Sequence, residues 1–193
     1  MEKSKDTFSI KNTTYLFHPF LRKEQESDVQ TVSEEIPAYN AFPLLSNEEE
    51  NDISVYDVAA YIVKKTGQIS TMKLQKMVYY CQAWSLVWDE KPMFKEKIEA
   101  WANGPVVREL FNQHKGFFII DSIPLGNPDL LDKDSKETVD SIVEFYGKYS
   151  AQQLIEMAHS EKPWKDARVG LDESERGSKE ISRESMQEYY SSL

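Results

Sequence analysis

The chain has 193 residues, of which 40% are hydrophobic and 12% aromatic, enough for one globular domain with a core and an additional segment. No run approaches the roughly 18 consecutive apolar positions of a membrane-spanning helix, and the first residues lack the apolar stretch of a secretory signal. The single cysteine, Cys81, excludes an internal disulfide, and its apolar neighbours favour a packed side chain over a catalytic thiol. These features predict a cytoplasmic protein that does not act at a membrane.

The net charge of −10 is distributed unevenly along the chain. Residues 1–53 hold 5 Lys and Arg against 11 Asp and Glu, a net charge of −6, whereas residues 54–193 hold 18 against 22, a net charge of −4. No basic residue occurs between Lys23 and Lys64. Acidic runs are usually solvated linkers, but this one would also repel nucleic acid and be attracted to a basic protein surface. A protein partner is therefore expected, and a nucleic-acid partner is not.

The composition changes near residue 53, which predicts an acidic N-terminal extension over residues 1–53 and a helical domain over residues 54–193. Within the extension, a loose alternation over residues 7–17 is typical of a short strand pair or an extended segment. Its large apolar side chains have the character of anchors that bind a partner. The predicted partner-binding residues are Phe8, Ile10, Tyr15, Leu16, Phe17 and Phe20.

The first two helices are predicted from caps and periodicity. Ser54 with Asp57 forms a capping-box pattern, helical spacing of apolar residues follows, and Gly67 ends the helix. The next helix begins at Ser70 or Thr71 and is apolar on nearly every side, which is typical of a central core helix. As an alternative, these two helices could form a helix-turn-helix, but the second offers only two lysines for phosphates, which favours two packed core helices.

The remainder is predicted to alternate short strands with helices. Predicted strands cover residues 98–102 and 117–123. A helix is predicted over about 105–115, with Pro105 at its first position, and another over 134–147, which begins at Asp134 and Glu137. Two further helices are predicted over 150–158 and 182–190, with a loop over 169–179 between them. The expected fold is thus mainly α, a compact helical domain with minor short β-strands after the acidic extension.

Sequence signatures of common active sites are absent. There is no phosphate-binding glycine loop, no HExxH and no GxSxG, and the three histidines do not pair at metal-ligand spacing. His159, with Glu161 and Trp164 nearby, is the best single candidate for chemistry, but a structural histidine is favoured. No enzymatic activity, metal or cofactor is expected.

Four segments stand out together: KLQKMVYY at 73–80, IEAWANGPVV at 98–107, the stretch from Tyr146 and Gly147 to Leu154, and HSEKPW at 159–164. In this order and spacing they resemble the SocA-like or Panacea antitoxin domain, also known from phage-associated GepA-like proteins. The resemblance covers about residues 54–190. The motif residues are Lys73, Gln75, Tyr79, Tyr80, Trp101, Gly104, Pro105, His159, Pro163 and Trp164.

The resemblance implies a mostly helical domain that is the antidote half of a toxin–antitoxin pair, without catalytic residues. Members of this family are paired with unrelated toxins, including small alarmone synthetases and other translation-blocking enzymes. The large or stiff motif residues are also interpreted as structural, since they can hold turns against a core.

Direct neutralisation of a cognate protein toxin is the favoured function. The alternatives are a proteolytic adaptor that delivers a toxin to a protease, as in one branch of the family, and a DNA-binding phage or prophage regulator. Self-association is retained as a further interaction. Because the extension lies outside the resemblance, it is the segment expected to supply toxin specificity.

Overall fold

The computed structural model describes residues 53–172 and 174–193. Phe8, Ile10, Tyr15, Leu16, Phe17 and Phe20, the partner-binding residues predicted in the extension, lie outside the described residues.

Helix α1 (Val55–Thr66) begins and ends where the sequence predicts. Ser54 and Asp57 form the capping box, and the backbone N–H of Gly67 donates to a carbonyl of the last turn. After the short strand β1 (Ile69–Ser70), the Ser70 side chain caps helix α2 (Thr71–Trp88) by accepting from Lys73 N. The capping residues thus define both helices of this pair.

Helix α2 is the central element of the fold. Its buried residues lie on every side of the helix, which confirms the predicted core helix. Helices α1, α4, α5 and α7 and strand β3 all pack against it. The largest of its fully buried side chains include Tyr79, Tyr80, Leu74 and Met77. The residues of the KLQKMVYY segment therefore face the interior from several directions.

Strands β2 (Ile98–Trp101) and β3 (Gly104–Val107) form an antiparallel hairpin that packs on α2. The predicted helix start at Pro105 is wrong, because Pro105 lies in β3 opposite Ala100. Helix α3 (Arg108–His114) begins only after the strand. The extended conformation is favoured here because the Gln75 side chain bonds both backbone groups of Val107, as a neighbouring strand would.

The described elements that follow α3 are one short strand, a 3-10 turn and four α-helices. Strand β4 (Ile119–Ile120) pairs antiparallel with β1 and is shorter than predicted. Helix α4 (Lys133–Tyr146) follows a 3-10 turn, and its N-cap is Asp132, so the predicted start at Asp134 is two residues late. The remaining helices are α5 (Ala151–Ser160), α6 (Lys162–Ala167) and α7 (Arg183–Tyr190).

The predicted mainly α fold with minor short strands is confirmed. In the part of the chain that the structure describes, four short strands accompany seven α-helices and one 3-10 turn. None of these helices combines the length and the apolar character that crossing a membrane requires.

Candidate functional site

Three groups of side chains, each with members from the motif segments, connect elements of the fold. The first is a lysine cluster consisting of Lys76, Gln75, Gly104 and Pro105 and the ring of His114. Lys76 is fully buried, and its Nζ donates to the Pro105 carbonyl at 2.9 Å. Burial lowers the pKa of Lys76 to about 7. Gly104 has a φ of +90°, and a Cβ there would lie 2.7 Å from Lys76 Cε, so the backbone can approach the lysine only as glycine.

Gln75 connects the same cluster to α3. Its Oε1 accepts from Val107 N at 2.8 Å, and its Nε2 lies 3.1 Å from His114 Nε2. Because the amide nitrogen can only donate, the His114 nitrogen that faces it accepts, which requires a neutral ring. Burial lowers the pKa of His114 in agreement with this state. Gln75 therefore fixes the strand, the following helix and the histidine tautomer together.

The second group is a carboxyl cluster formed by Glu161 and Tyr79, Tyr80 and Tyr190. The Tyr79 and Tyr190 hydroxyls donate to Glu161 Oε2 at 3.2 and 2.7 Å, and the Tyr80 hydroxyl donates to Oε1 at 3.1 Å. Burial raises the pKa of Glu161 to about 7, and the three hydroxyl donors oppose that rise. The cluster joins α2, the junction of α5 and α6, and α7.

The third group lies where the β2–β3 turn meets α6. Trp164 Nε1 donates to the Trp101 carbonyl at 3.0 Å, and the His159 ring stacks on Trp164 with centroids 4.0 Å apart. On the same indole, the Arg168 guanidinium lies 5.0 Å from the ring centroid and donates to the Ala100 carbonyl. Pro163 is buried at the start of α6, so this corner is stiff as well as packed.

The remaining motif residue, Lys73, joins two helices. Its Nζ donates to the Gly147 carbonyl at 2.6 Å, which ties the start of α2 to the end of α4. Except for Pro163, which is buried within the first turn of α6, the predicted motif residues are thus found in contacts between elements. Glu161, Lys76 and Tyr190 were not selected from the sequence, although Lys76 and Glu161 lie inside motif segments.

Residues 74–165 match the antitoxin SocA-like, Panacea domain family. The match confirms the resemblance predicted from the sequence over these residues. This Panacea segment runs from the first turn of α2 into α6, so it contains the β2–β3 hairpin and Glu161. No curated protein and no solved structure matches the chain.

The carboxyl cluster extends beyond the Panacea segment. Tyr190, which makes the shortest hydrogen bond to Glu161, belongs to α7, outside residues 74–165. Lys73 and helix α1 also lie outside residues 74–165. The structural unit is therefore larger than the matched segment.

The buried polar groups of the Panacea segment are engaged in structural contacts. Lys76, Gln75 and Glu161 each bond a group on another element. Cys81 is buried, and burial raises the pKa of its thiol, which holds it in the unreactive protonated form. Among the residues that the structure describes, no three His, Cys, Asp or Glu side chains are arranged to hold a metal ion.

Proposed function

We propose that this protein is an antitoxin that neutralises a cognate protein toxin by direct, stoichiometric binding in the cytoplasm. The observation that carries the proposal is the match of residues 74–165 to the antitoxin SocA-like, Panacea domain. We infer that the protein acts by binding its partner and not by catalysing a reaction.

The polar clusters support this assignment. A catalytic group needs access to substrate and a pKa suited to proton transfer at working pH. Lys76 and Glu161 have pKa values near 7, but both side chains are buried and bonded to neighbouring elements. Such groups position helices and strands, and they leave the exterior of the domain for the partner.

The structure also weakens the DNA-binding alternative. In a helix-turn-helix built from α1 and α2, the two lysines of α2 would have to reach phosphates. Lys76 is fully buried against Pro105, and Lys73 is half-buried against Gly147. Helix α2 is covered by its neighbours in the fold and is not available to enter a groove.

Toxin specificity is assigned to residues 1–53. The anchors proposed for it are Phe8, Ile10, Tyr15, Leu16, Phe17 and Phe20, and the acidic run that begins at Glu24 follows them. A toxin that handles nucleotides or RNA presents a basic active site, and an acidic segment that covers it would also speed association. The helical domain then serves as the common scaffold.

The deciding experiment is co-expression with the toxin candidate encoded beside this protein. We expect the candidate to stop growth alone, growth to recover with this protein, and the two to co-purify. An active-site variant of the toxin is the control, since it should still co-purify without affecting growth. Absence of association at about micromolar concentration would exclude direct neutralisation. Loss of rescue in cells that lack their cytoplasmic proteases would favour the adaptor alternative.

A further inference from the structure

We draw no further inference here: the strongest candidate, the exposed apolar patch of Phe117, Phe118 and Ile119 beside the groove that follows α3, carries none because nothing in the described residues shows what covers it.

Discussion

Glu161 is a carboxyl group enclosed by three tyrosine hydroxyls, and it forms no ion pair with a cation among the described residues. Burial raises its pKa from the ordinary 4.5 to about 7, so the fold prefers the protonated acid. Between pH 4.5 and 7 the unfolded chain has lost the proton that the folded chain retains. Glu161 therefore stabilises the fold at low pH, and this contribution is lost as the pH rises through that window.

The variant Glu161→Gln should remove this dependence, since the amide keeps one acceptor oxygen for the tyrosines and does not titrate. The stability of wild type relative to the variant should fall by on the order of 3 kcal/mol between pH 4.5 and 7. Urea unfolding at several pH values measures it. Glu188→Gln, an exposed position on α7, is the control and should leave the pH profile of the wild type unchanged. A pH-independent difference for Glu161→Gln would contradict the assignment.

The two tryptophans of the corner at α6 should differ in their contributions to stability. Trp164 is 6% exposed and contacts His159 and Arg168, so Trp164→Ala should cost about 3–5 kcal/mol, the usual loss for a buried aromatic. Trp101 is only half-buried, and Trp101→Ala should cost less. Thermal melts compare them, with a fall of about 10 °C expected for Trp164→Ala. A variant that melts normally but no longer neutralises the toxin would make that tryptophan an interface residue.

Lys76 illustrates how far the environment of a single residue can be predicted from the sequence. The helix predicted from Ser70 or Thr71 is apolar on nearly every side, so it leaves little solvent-facing surface for a lysine. The helix-turn-helix alternative instead places Lys76 against a phosphate, because a lysine side chain is usually exposed. Its carbonyl partner on Pro105 depends on a hairpin that is distant in sequence.

At the scale of elements, prediction succeeded where the signals are local. The caps at Ser54 and Ser70 and the end at Gly67 depend on hydrogen bonds that span a few residues, and all are observed. Prediction failed at Pro105, because the extended conformation there is set by the pairing with β2 and by Gln75 of another element. The local pattern does not predict strand β1 either, because β1 is extended only by pairing with β4, which lies fifty residues further along the chain.

The capping box of α5 gives a test at this scale. The Ser150 side chain accepts from Gln153 N at 3.2 Å, and the Gln153 side chain accepts from Ser150 N at 2.9 Å. Ser150→Ala should cost about 1 kcal/mol, measured by urea unfolding. Ser178→Ala, at an exposed position outside the helices, is the matched control and should cost almost nothing. Equal effects of the two changes would show that the cap does not contribute.

At the scale of the whole molecule, the helical domain and the acidic extension are expected to have separate roles. Residues 54–193 contain a core around α2 in which Val58, Ile62 and Leu74 are all fully buried. The extension holds −6 of the net charge of −10 and lies outside the family match. This division leads to a deletion experiment on the extension.

Deleting residues 1–50 should leave a folded helical domain that binds the toxin poorly or not at all. Within the full chain, combining Phe8→Ala with Phe17→Ala should weaken binding without lowering the melting temperature, since anchor truncations typically cost about 2 kcal/mol each, or thirtyfold in affinity. Acid-to-amide changes at the acidic residues of the extension from Glu24 to Asp52 should mainly slow association and reduce its dependence on salt. Titration calorimetry and stopped-flow binding separate these effects.

Two outcomes would assign the extension a different role, and both are read from the same deletion. If Phe8, Ile10 and Phe17 complete the core of the domain itself, the truncated chain should melt early or aggregate, and the loss of binding would follow from unfolding. If the truncated chain stays folded and still neutralises the toxin fully, the binding surface belongs to residues 54–193. Because circular dichroism reports folding and growth rescue reports neutralisation, the two outcomes are distinguished from each other and from the expected one.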